Sequence, residues 1–192
     1  MDKLFSFARA VFMLLLIISS NSFAQIPLLT NEYALKRLTA EEGFVSSEIY
    51  SIIQDKQGLI WFGTAENGVM RYDGRKVTLF EFDSMSDNGL SHNDAGNLML
   101  DRNGNIWIGT WGGGANRYNP SSGKFDNYLN DPKRSDSISA NRIQSLHHDD
   151  DGSIWLGSYD QGLNLYLGAN QFSHIKKATE STAGLSLSLI HI

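Results

Sequence analysis

The chain has no cysteine, which removes disulfides, thiolate metal sites and the lipid-anchored kind of export signal. It also lacks a basic patch: its 16 Lys and Arg residues are dispersed and outnumbered by 21 Asp and Glu. Such a balance speaks against nucleic acid as a partner. Beyond the N-terminus no stretch keeps a 3.6-residue apolar period, so amphipathic helices are not expected. The longest apolar run, Ala10 to Ile18, has nine residues, and a bilayer-spanning helix needs about 20.

That run belongs to a secretory signal expected over residues 1–24. Lys3 and Arg9 supply the basic start, and Ser22-Phe23-Ala24 places small residues before a cleavage point at Gln25. Without Asp2, Lys3 and Arg9 the mature part has 14 basic and 20 acidic residues, a net charge of −6.

What is present is a repeat. Asp-x-x-Gly-x-Ile-Trp-[Phe/Ile/Leu]-Gly-[Thr/Ser] occurs three times, around Trp61, Trp107 and Trp155, which are 46 and 48 residues apart. The offsets match throughout: Asp55, Asp101 and Asp149 before each Trp, then Gly63, Gly109 and Gly157, then Gly68, Gly114 and Gly162, then Tyr72, Tyr118 and Tyr166. A period of this size marks units that bury their apolar faces by stacking on one another. Within a unit the texture is strand and turn. Strands are expected at 49–54, 59–64, 69–72 and 77–82; at 97–100, 105–110, 115–118 and 124–129; and at 143–148, 153–158, 163–166 and 171–175. Gly-containing turns such as Asp55-Lys-Gln-Gly58 and Asp73-Gly74 separate them.

Four short antiparallel strands per unit of about 45 residues is the blade of a β-propeller, an all-β fold. The expected layout is a lead-in at 25–37, blades at 38–83, 84–131 and 132–177, and a tail at 178–192. Propellers close with typically 4–8 blades, so three belong to a truncated propeller. The last six residues, 187–192, resemble the in-frame translation of a transposon end used in sequencing libraries, and are expected to be non-native. The Trp side chains are expected to pack between sheets, and the mid-strand Gly63, Gly109 and Gly157 to mark bulges or close backbone approach.

Asn105-Ile-Trp-Ile-Gly-Thr-Trp-Gly-Gly-Gly-Ala-Asn-Arg-Tyr118, with the link Asn130-Asp-Pro132 to Ser137-Ile-Ser-Ala-Asn141, resembles the two-component regulator propeller family. The resemblance covers about 38–176. Repeat one departs from the pattern: Glu66-Asn67 replaces Gly112-Gly113, and Ser47 replaces Asn93 and Asn141. The resemblance implies the exported, periplasmic sensory region of a receptor anchored in the inner membrane, with the remaining propeller, membrane and output domains further along. It implies a histidine kinase output, often a hybrid one, or else a diguanylate cyclase, and a homodimeric receptor. No phosphoacceptor helix, ATP loop or GGDEF-type motif is present here, so this stretch itself is read as non-enzymatic.

Other motifs are weaker. Asp101-Arg-Asn-Gly-Asn105 starts like a calcium loop but has Ile106 where such a loop needs Gly. His147 and His148 would point to opposite faces of a strand, so no metal site is expected. Gly109-Thr-Trp-Gly-Gly-Gly114 does not fit a phosphate loop, and no cofactor is implied. An exported carbohydrate-binding or carbohydrate-active propeller without membrane output is the second reading, with Glu66, His92 and Asp160 as groups that could converge. The antiparallel order puts Ser47, Asn93 and Asn141 on one rim with Glu66, Trp111 and Tyr159-Asp160. Asn93, Trp111, Asn141 and Tyr159 are therefore the candidate ligand contacts, for a small molecule or oligosaccharide held by stacking and hydrogen bonds. The competing role for the Asn residues is capping the turn into each blade.

Overall fold

Each Trp repeat folds as a four-stranded antiparallel sheet in the computed structural model, which describes residues 37–86 and 89–175. The expected signal at 1–24, all but residue 37 of the lead-in at 25–37, and the tail at 178–192 lie outside the described residues. Blade 1 comprises β1 (Ile49–Gln54), β2 (Ile60–Thr64), β3 (Val69–Tyr72) and β4 (Val77–Phe80). Blade 2 comprises β5 (Asn97–Leu100), β6 (Ile106–Gly109), β7 (Ala115–Asn119) and β8 (Lys124–Tyr128). Blade 3 comprises β9 (Ile143–His148), β10 (Ile154–Ser158), β11 (Leu163–Gly168) and β12 (Gln171–Ile175). Each sheet is ordered as its strands occur in sequence. The first strands β1, β5 and β9 pack side by side. Among the described residues no helix is long and apolar enough to cross a membrane.

The blades stack through their tryptophans. Trp61 is fully buried with Val69, Ile106, Ile108 and Tyr118 between blades 1 and 2. Trp107 is buried with Tyr128, Ile143, Ile154 and Leu156 between blades 2 and 3. Both rings follow one plan. Trp61 stacks on Phe80 at 5.4 Å and meets Tyr118 of the next blade at 5.1 Å. Trp107 stacks on Tyr128 at 5.3 Å and meets Tyr166 at 4.9 Å. An arginine closes each contact: Arg71 donates to the Tyr118 hydroxyl at 3.4 Å and Arg117 to that of Tyr166 at 3.2 Å. Trp155 has the same strand position but is half-buried, and Ile175, where Phe80 and Tyr128 stand in the other blades, is exposed.

The mid-strand glycines are sites of close approach. A Cβ on Gly63 would lie 2.7 Å from the Ala95 carbonyl oxygen, and one on Gly157 2.2 Å from Ser145 Oγ. The β9–β10 register also shifts at Gly157/Ser158. Gly114 combines φ 71° with a virtual Cβ 2.1 Å from the Tyr128 carbonyl oxygen, so no other residue fits there without moving the strand.

Candidate functional site

The loop after the second strand of a blade meets the segment entering that blade and, between blades 2 and 3, the segment entering the next, and these junctions form a rim. The Trp111 N–H donates to the Asp94 carbonyl at 3.0 Å, and the Tyr159 N–H to the Arg142 carbonyl at 3.0 Å. Trp111 and Arg142 also form an isolated antiparallel bridge. Backbone pairing thus fixes where these side chains stand, independently of any packing in the core.

The rim places Trp111 and Tyr159 together. Their rings meet edge to face at 4.9 Å, and they are 42% and 48% exposed, unlike the wholly buried Trp61 and Trp107. The Arg142 guanidinium lies 5.6 Å from the Trp111 ring centre and 5.0 Å from that of Tyr159. Its Nη2 pairs with Asp160 Oδ2 at 3.4 Å. Two exposed aromatic faces held by a cation form a platform suited to stacking against a ligand.

Asn93 and Asn141 sit in the same junctions, with their Oδ1 atoms taken by backbone. Asn93 Oδ1 accepts from the Phe82 N–H at 2.6 Å, and Asn141 Oδ1 from the Asn130 N–H at 2.7 Å. Their carbonyls accept from Gly68 and Gly114, at 2.7 and 2.9 Å. They tie the end of one blade to the start of the next, which is the capping role the sequence also suggested.

Side chains that the sequence did not single out complete the site. An open cleft of about 510 Å³ is lined by Tyr50 of β1, Asp94, Asn97 of β5, Trp111 and Gln144 of β9, among others. Tyr50 is 64% exposed. The Asp94 carboxyl is held above its ordinary range, chiefly because it is desolvated; nearby His92 opposes the shift and Glu66 adds to it. The Asp94 N–H donates to His92 Nδ1 at 3.0 Å, so that ring carries its neutral-state proton on Nε2. Glu66 and His92 therefore gather around Asp94, while Asp160 is engaged with Arg142. The available signal was disagreement between repeats: thirteen residues before each Trp stand Glu48, Asp94 and Arg142.

Comparison with known proteins follows the same lines. The family model described as "Two component regulator propeller" matches residues 43–66, 89–112 and 137–160, one segment per blade. Among solved structures, an extracellular domain assigned to a hybrid two component system of B. thetaiotaomicron is 28% identical, with a TM-score of 0.68, over 73% of this chain and 20% of that one. A second such domain from B. thetaiotaomicron is 28% identical, with a TM-score of 0.58, over 75% of this chain and 18% of that one. Virginiamycin B lyase of Staphylococcus aureus, 18% identical with a TM-score of 0.52 over 69% of this chain and 42% of that one, shares the fold alone. No curated protein matches. The chain spans about a fifth of the length of the two-component domains it resembles.

Proposed function

We propose that this chain, whose three blades are two component regulator propeller repeats, is the N-terminal part of a periplasmic ligand-sensing propeller. The receptor it serves is a two-component hybrid sensor histidine kinase, anchored in the inner membrane and acting as a homodimer. The observation that carries this reading is the likeness, at 28% identity, to extracellular domains of hybrid two component systems. The exposed Trp111–Tyr159 pair supports a binding role for the rim, because the three repeat tryptophans are by contrast wholly or partly buried. The ligand is a small molecule or oligosaccharide that stacks on these rings.

No step of catalysis is assigned to the blades; the kinase chemistry belongs to the domains that follow. Sequencing the intact gene downstream of residue 186 tests the reading. A further propeller, a membrane helix and histidine kinase motifs are expected. Diguanylate cyclase motifs would keep the sensory role and replace the output. A stop codon directly after the last blade would instead favour an exported carbohydrate-binding or carbohydrate-active propeller.

A further inference from the structure

The cleft beside the rim has an unusual charge arrangement. Among the described residues the Asp94 carboxylate accepts no hydrogen bond and forms no ion pair, yet it is desolvated enough to hold its proton more tightly than usual. It lines the cleft with two aromatic residues, Tyr50 and Trp111, and with the amides of Asn97 and Gln144. The nearby cation, Arg142, is already committed to Asp160 and to the faces of Trp111 and Tyr159. Gly96 belongs to the same wall: a Cβ there would come within 2.7 Å of Tyr50 Cδ2. Its absence lets the Tyr50 ring lie close against the cleft.

We propose that this cleft binds an organic ammonium group, set against the Asp94 carboxylate and flanked by the Tyr50 and Trp111 rings. The inference rests on the reading of the rim as a ligand site and adds the chemistry that the site selects. A primary ammonium carries three N–H donors, which the unpartnered carboxylate and the Asn97 and Gln144 carbonyl oxygens accept. Its positive charge is also attracted to the aromatic faces. An anionic ligand meets Glu66 and Asp94 and is repelled. An uncharged ligand that covers the cleft takes further water from the carboxylate without supplying a counter-charge, which is the costly arrangement. An amino sugar and a simple alkyl amine share the required chemistry and differ in whether a ring is stacked as well.

Calorimetric titration of the receptor's complete extracellular region separates these cases with three probes: a glucosamine trimer, the N-acetylglucosamine trimer of the same size, and 1,5-diaminopentane. The glucosamine trimer is expected to bind at least about tenfold more tightly than its N-acetylated counterpart, the worth of one charge-assisted hydrogen bond. Asp94→Asn should remove that preference. Tyr50→Ala, at an exposed position on β1, should weaken the trimer while leaving thermal melting unchanged. Comparable binding of the diamine and the glucosamine trimer would identify a simple amine as the source, and weak diamine binding an amino sugar; both keep the ammonium inference. Equal affinity for the two trimers, or a preference that survives Asp94→Asn, overturns it. Equal affinity for the two trimers that is lost in Trp111→Ala overturns the ammonium inference and leaves the rim as a ligand site. No binding of any probe overturns the inference too, and the sensory reading is then judged separately by the receptor's response in cells.

Discussion

The indole N–H of Trp107 donates to Asp101 Oδ2 at 3.1 Å, joining the core of the blade to the turn six residues earlier. The same carboxylate accepts from the N–H groups of Asn103 and Asn105 at 2.9 and 2.8 Å. Trp61 with Asp55, and Trp155 with Asp149, repeat the bond at 2.8 and 3.0 Å. Asp101→Ala strands a buried indole donor and frees the turn, so a loss of about 3 kcal/mol is expected. Urea melts would show it, with Asp126→Ala, whose own side chain is 53% exposed, changing stability by about 1 kcal/mol.

Trp107 and Trp111 are four residues apart and differ in what surrounds them. Trp107→Ala opens a cavity between two blades and should cost about 3–5 kcal/mol. Trp111, 42% exposed, should cost about 1 kcal/mol on the same substitution, as for an ordinary change, and weaken ligand binding. Equal destabilisation in denaturant melts would make Trp111 a second packing residue.

Gly114 and Gly123 share a positive φ, 71° and 68°, but only Gly114 is crowded. Gly123→Ala should cost about 1 kcal/mol from backbone strain alone. Gly114→Ala places a methyl 2.1 Å from the Tyr128 carbonyl oxygen and should cost several times more, about 3 kcal/mol or above, since β7 must part from β8. Thermal melts of the two variants give the comparison.

Asp94 sets a pH signature. Its carboxyl titrates above the ordinary 3.8, through desolvation first, with His92 lowering and Glu66 raising it. A raised folded-state value means that its contribution to stability is fully present below the unfolded value and is lost as pH rises through the folded one. Asp94→Asn should therefore raise the melting temperature at pH 7, and the gain should vanish when the melts are repeated below pH 3.8. A constant gain across that window would assign the effect to something other than the ionised carboxylate.

Much of the fold was legible because each strand boundary is written three times. Leu59 and Asn105 fall just outside β2 and β6 since their carbonyls accept the turn N–H groups of Asp55 and Asp101. Expectation and structure part at Phe82 for a similar reason: it leaves β4 to make an isolated parallel bridge with Leu90. Antiparallel order alone suggested that Trp111 and Tyr159 share a rim; it did not suggest that their rings meet, at 4.9 Å. Arg142, Asp94 and Tyr50 were not legible, because repetition reveals scaffold and these positions do not repeat in chemistry. Tyr50 reads as an ordinary strand residue until β1 and β5 are seen side by side. Asn116 and Asn164, wholly buried, were missed as well; they accept from the N–H groups of Ser91 and Ser139, at 2.9 and 2.7 Å, and so fasten each inter-blade link.

A sensory role is tested most directly by the signalling response of the intact receptor carrying Trp111→Ala, read with a reporter of its output in cells exposed to the inducing ligand. Receptor abundance should match the unsubstituted protein and stability should fall by no more than the about 1 kcal/mol expected of that substitution, while the ligand concentration needed for half-maximal response rises at least about tenfold, the equivalent of one lost stacking contact of about 1.4 kcal/mol. An unchanged dose–response curve at equal abundance would contradict a ligand-sensing role for this rim.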